Sequence, residues 1–279
     1  MELKKEMNKI IQLAAVLPIF FLAACSEENE VPFEQSEVVT YESEEKLENS
    51  FDLVETITNA GLEYANAEVE GRTATDDEIA CAELFLSGTK EEGRLEIKYG
   101  EEGCLGPDAK LRKGSIVLEW VGKRFTEGSV VWTILKDFSV DGIKVEGTRK
   151  STNTSQSLLN PSFDIVITGG KLIWPDETFA TWNAERTHQW SIGEEEITLE
   201  IDGEASGVTR GGIAYETDIT SPLFLRISCL AERVYIPVRG IKEIHRGEEL
   251  PLITVDYGQG TCDRTFTVRI GDRQHNVIL

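Results

Sequence analysis

The chain has 279 residues, with 50 Asp or Glu against 28 Lys or Arg and a formal net charge of −22. That length admits one or two domains with a full core, and an apolar content of 40% excludes wholesale disorder. The acidity repels phosphates and argues against nucleic acid as a partner, while three His leave little for His-based catalysis or metal binding.

Lys4, Lys5 and Lys9 form a positive start, followed by Ile10 to Ala24, a run of 15 residues whose only polar side chain is Gln12. A spanning helix wants about 20 residues, so the run reads as the core of a signal peptide over residues 1–24. It ends Leu22-Ala23-Ala24-Cys25, which resembles a bacterial lipobox. That resemblance implies cleavage before Cys25, a diacylglycerol on its thiol and an acylated new amino terminus. Two or three acyl chains anchor stably where one is marginal. Ser26-Glu27-Glu28-Asn29-Glu30 is similar to the acidic export tag of Bacteroidota lipoproteins. It implies an outer-membrane lipoprotein facing the cell exterior, with the periplasmic face as the alternative.

Residues 26–80 carry 17 acids against Lys46 and Arg72. Such a stretch repels itself and is expected to act as an acidic tether over residues 25–80. No D-x-D-x-D-G spacing marks a calcium loop there. One helix is expected within it, over residues 50–67, with Ser50 as N-cap and Phe51, Val54, Leu62 and Ala65 near helical spacing. Gly61 costs that helix about 1 kcal/mol.

From residue 81 to 279 the pattern turns to alternation punctuated by Gly, which predicts an all-β domain, an antiparallel meander of about a dozen strands. Strands are expected at 115–121, 130–140, 143–152, 163–168, 172–174, 178–192, 196–202, 213–220, 223–230, 233–239, 252–257, 264–270 and 274–278. Asp141-Gly142 is a two-residue hairpin signal. Gly169-Gly170, Asp202-Gly203 and Gly211-Gly212 read as further turns. Charges such as Glu119, Lys136, Glu146 and Glu200 recur along the strands, so one face is expected to be wet, in a sandwich or a strongly bent open sheet. Trp120, Trp132, Phe138, Trp174, Trp182, Trp190, Tyr215 and Phe224 supply the bulk of the buried face, or alternatively a sugar-stacking platform.

The body contains an internal repeat. Leu95-x-Ile97-x-Tyr99-Gly100-x-x-Gly103-Cys104 matches Ile253-x-Val255-x-Tyr257-Gly258-x-Gly260-x-Cys262, each with a Cys one hairpin upstream at Cys81 and Cys229. The repeat predicts disulfides Cys81–Cys104 and Cys229–Cys262, each worth roughly 3 kcal/mol in the chain-entropy model. A zinc site of four thiolates would want a C-x-x-C pair, which is missing. These hairpins, with Asp141 to Thr148 and the stretch Gly203 to Leu223, resemble a family of uncharacterised Bacteroidota outer-membrane lipoproteins over about 200 residues. The resemblance implies an exported β-rich lipoprotein and brings no catalytic residues.

No nucleophile elbow, P-loop or zinc-protease spacing occurs. His188, His245 and His275 read as exposed strand or turn residues. Paired carboxylates, with Glu119 and Glu146 placed on neighbouring strands, are the remaining route to catalysis, of the glycosidase type. The favoured reading is a non-catalytic surface module without cofactor or metal, held in the outer membrane and binding a glycan or a protein partner. A lipid carrier, with a curved cradle covered by the helix, is the alternative.

Overall fold

The computed structural model describes residues 35–72, 76–232, 234 and 236–278. Cys25, the signal peptide and the first part of the expected tether lie outside them.

A helix α1 (Gln35–Val69) precedes thirteen strands. These are β1 (Glu83–Gly88), β2 (Glu92–Leu105), β3 (Leu111–Val121), β4 (Val130–Val140), β5 (Ile143–Asn153), β6 (Ser162–Ile173) and β7 (Phe179–Ile192). They continue as β8 (Ile197–Val208), β9 (Ala214–Arg226), β10 (Arg239–His245), β11 (Ile253–Gln259), β12 (Thr265–Ile270) and β13 (Arg273–Ile278). Every strand pairs antiparallel with its sequence neighbours, in one open sheet ordered β1 to β13. The expected all-β meander is therefore present.

Helix α1 lies across the strands. Glu37 pairs with Arg273 on β13, Tyr41 meets Phe266 on β12, and Glu44 meets Lys242 on β10. Phe51 then packs on Trp182 of β7, Glu55 pairs with Arg149 of β5, and Thr58 bonds Thr133 of β4. Gly61 finally presses against Leu95 and Ile97 of β2 and Leu118 of β3. From Glu37 to Gly61 the helix advances ~36 Å at 1.5 Å per residue. Ten or eleven strand spacings measured along the sheet come to ~50 Å. A surface longer than the rod it touches throughout must bend around that rod. The sheet is curved, with α1 on its concave face.

That packing revises the expected tether and helix. The helix starts fifteen residues before Ser50, and Ser50 is no N-cap: its hydroxyl donates to the Lys46 carbonyl at 2.7 Å, four residues back. The upstream segment looks like a self-repelling tether because its charges find partners only on the distant sheet. The helix ends in a Schellman motif, with Gly71 N–H on the Glu68 carbonyl and Arg72 N–H on that of Ala67.

Asp141-Gly142 turns the β4–β5 hairpin with positive φ at both residues, as expected. Gly169-Gly170 and Asp202-Gly203 are not turns. The first sits inside β6 at a bulge opposite β7, and the second lies mid-strand in β8 where the pairing to β9 shifts register. Each joins segments expected as separate strands or ends, and bulges add the local bend that a curved sheet needs. The expected strands 213–220 and 223–230 merge into β9, and the chain then makes a 3-10 turn at Ile227–Glu232. Strand β10 falls largely outside every expected strand.

Burial alternates along most strands, as in β7, where Trp182, Ala184, Arg186 and His188 face inward and Asn183, Glu185 and Thr187 face water. The internal repeat is structural. Leu95, Ile97 and Tyr99 on β2 match Ile253, Val255 and Tyr257 on β11, all in the core. Both expected disulfides, Cys81–Cys104 and Cys229–Cys262, are present.

Candidate functional site

The sheet's inward face carries charge as well as core. Arg149, Arg186 and Lys242 are buried there, among alternating positions otherwise filled by aromatic and aliphatic side chains. Each stands opposite acidic positions of α1. A helix with nine carboxylates and one Lys packs on the sheet because the sheet offers matching cations.

Beside the middle and C-terminal half of α1 this leaves a cleft of about 320 Å³. Its floor comes from β3 to β7, and the loop between β3 and β4 forms its rim. Trp120, Phe163 and Trp190 supply aromatic wall, with Phe125 at the rim. Trp120 packs against Gly93, where any Cβ would stand 2.2 Å from the ring, and its indole donates to the Thr89 carbonyl at 3.0 Å. Its orientation is fixed by backbone on two sides.

Polar groups converge on the same space. Arg149 meets Glu55 at 2.9 Å, and His188 Nδ1 lies 3.8 Å from the same carboxylate. Burial pushes the Glu55 carboxyl up, but Arg149 and then His188 more than offset it, so its pKa falls below the ordinary value. Burial drives the His188 pKa down, partly opposed by Glu55, which leaves the imidazole neutral at neutral pH. Asn153 is 2% exposed; its Oδ1 accepts from Ser155 N–H at 2.8 Å, while its Nδ2 finds no acceptor among the described residues. The Asp52 side chain is exposed, yet the surrounding protein pushes its carboxyl well up, and Glu48 and Glu55 add to the rise.

No protein-family model, curated protein or solved structure matches the chain. The site therefore rests on its own geometry.

That geometry reassigns several residues singled out by sequence. His188 is buried rather than exposed, because it shares the inward face of β7 with Trp182 and Arg186. His245 stands half-exposed 3.7 Å from Asp218, and His275 lies exposed on β13. Glu119 and Glu146 are not on neighbouring strands: β4 separates β3 from β5, and each carboxylate pairs with a surface base, Arg94 and Lys144. None of the five Trp is exposed. Trp120, Trp174 and Trp182 are buried, Trp190 walls the cleft, and Trp132 lies half-buried on the outer face. Trp174 instead carries the Arg210 guanidinium at 4.5 Å. Phe138 and Tyr215 are core, and Phe224 is half-buried beneath Arg239.

Arg149, Arg186, Asn153 and Asp52 escape the sequence reading. The parity of Arg186 with Trp182 and His188 was the available signal.

Proposed function

We propose that the protein is a non-catalytic outer-membrane lipoprotein, displayed outward through lipidated Cys25, whose helix-walled cleft binds a small amphipathic ligand. The observation that carries this reading is the cleft itself. Its volume of about 320 Å³ falls in the range of small-molecule sites, roughly 300–1,000 Å³, and aromatic walls meet a few convergent polar groups. Trp120 and Trp190 offer faces for a ring, and Asn59, Asn66 and Ser151 offer hydrogen bonds along its edge. That combination suits a sugar or another hydroxylated ring better than a long acyl chain, which keeps glycan recognition ahead of lipid carriage.

The test is recovery of ligand. The full chain, purified in detergent from its own membranes, is denatured, and its small molecules are identified by mass spectrometry beside those of Ser151→Trp. Filling the cleft should empty the variant. Equal recovery from both chains, or none from either, removes the cleft as a ligand site and leaves a structural module.

A second reading, a carbohydrate-active enzyme, draws on one observation. Asp52 and Glu55, a helical turn apart, line one small compartment beside the cleft, one carboxyl raised and the other lowered in pKa, the pattern that separates an acid from a base. The Arg149 contact on Glu55 weighs against it. Hydrolysis of a glycoside panel that Asp52→Asn abolishes would replace the binding reading.

A further inference from the structure

Beyond the Glu55–Arg149 pair the cleft continues into a second compartment of about 90 Å³, and both residues line both spaces. Its sheet wall carries Trp182, Arg186 and His188 in a row along β7. Arg186 is 5% exposed, and neither Nη1 nor Nη2 finds an acceptor among the described residues. Trp182 is 3% exposed, and its indole Nε1 is likewise without an acceptor among the described residues. Three buried donors thus belong to side chains that wall a space large enough for a small polar group, and leaving a buried donor unsatisfied is costly.

Four acids also face this compartment: Glu45, Glu48, Asp52 and Glu55. Glu48 is spent on Lys242 at 2.8 Å and Glu55 on Arg149 at 2.9 Å. The surrounding protein raises the pKa of Asp52 strongly and that of Glu45 as well, which favours their neutral, hydrogen-donating form. None of the four closes on the Arg186 fork.

We propose that this inner compartment binds a carboxylate, held in the fork of Arg186 Nη1 and Nη2 beside the Trp182 indole N–H, with the rest of the ligand lying in the outer cleft. The Arg fork matches a planar two-oxygen anion. The ionised carboxylates of Glu48 and Glu55 at the margin penalise a dianion more than a monoanion, which selects carboxylate over phosphate. The inference rests on the cleft reading for the ligand's body, and it narrows the ligand to a ring compound bearing a carboxylic acid.

The experiment follows the indole resonances of the full chain in detergent, 15N-labelled at Trp, with Trp182→Phe identifying the Trp182 signal. Acetate, glucuronate, phenylacetate and inorganic phosphate are titrated at constant ionic strength with chloride as control. Acetate should give a saturable Trp182 shift, abolished by Arg186→Met and weakened about tenfold or more by the charge-retaining Arg186→Lys. Glucuronate and phenylacetate should also move Trp190, and the tighter of the two identifies the body as sugar or aryl. A Trp182 signal indifferent to every carboxylate, or moved by phosphate at lower concentration than by acetate, overturns the inference. If acetate moves Trp182 while no probe moves Trp120 or Trp190, the inner site stands and the outer-cleft reading falls. The reverse pattern removes the inner site alone.

Discussion

Lys242 on β10 and Glu44 on α1 are both fully buried and meet at 2.6 Å, 198 positions apart in the chain. Glu48, one helical turn on, reaches the same ammonium at 2.8 Å. Burying ions is costly, and removing one partner of such a cluster typically costs 3–5 kcal/mol because the remainder is left uncompensated. Lys242→Met should therefore destabilise the fold by about that amount, read as a lower urea midpoint. Two carboxylates share one cation, so either alone can neutralise it. Near pH 5 Glu44→Gln should be close to neutral, whereas Glu44→Gln with Glu48→Gln should cost about 3 kcal/mol or more. Additive behaviour of the two substitutions would count against a shared cation.

The same cluster sets a pH dependence. Burial pushes the Glu44 pKa from 4.5 up to about 7, against the opposing pull of Lys242. In that interval the folded chain binds the Glu44 proton more tightly than the unfolded chain. Stability from this group is therefore greatest at low pH and declines as pH rises through the interval, by up to roughly 3 kcal/mol. Glu44→Gln mimics the protonated form. Wild type and variant should be about equally stable near pH 5, with the variant ahead at about pH 8. A stability gap that does not change between those two conditions would rule out a proton on Glu44.

Gly61 marks the closest approach of α1 to the sheet. A Cβ there would lie 2.8 Å from the terminal methyls of both Ile97 and Leu118, which are fully buried. The residue that weakens the helix locally is what allows it to dock. Gly61→Leu gains about 1 kcal/mol of helix propensity and loses about 1–3 kcal/mol to overpacking, more at so tight a contact. A net fall in the urea midpoint is expected. A variant as stable as wild type would show that α1 sits less tightly on β2 and β3.

Much of this architecture was legible from local pattern. The Tyr-Gly…Cys repeat, the disulfides and the Asp141-Gly142 turn depend on residues close in sequence, and each is found where its local chemistry puts it. The first half of α1 was not legible. Its buried positions include Glu37, Glu44 and Ser43, which no apolar stripe announces, and its partners lie up to 236 positions away. Asp202-Gly203 was misread because Gly serves a close backbone approach inside a strand as readily as a turn; a Cβ at Gly203 would stand 2.1 Å from the Glu185 carbonyl oxygen. The cleft was half legible. Arg186 and Lys242 share parity with Trp182 and Ile244, but a charge at an inward position explains itself only when the helix opposite is known to be acidic.

On the outer face, Glu185, Glu204, Asp218 and Glu243 stand directly opposite one another on β7, β8, β9 and β10. Like charges facing each other across strands are destabilising, by roughly 0.2–1 kcal/mol per pair. Glu204 has an acid on each side, so it bears two of the three repulsions. Glu204→Thr removes both and places a β-branched residue on an exposed strand position, which favours the sheet further. It should raise stability by about 1 kcal/mol at low ionic strength. Added salt screens surface charge over ~10 Å at 0.1 M, so the advantage should shrink as sodium chloride rises. Urea unfolding of both chains across a salt series checks this. An advantage that survives high salt unchanged would trace to strand propensity, and no advantage at low salt would mean that the four carboxylates do not repel in the folded sheet.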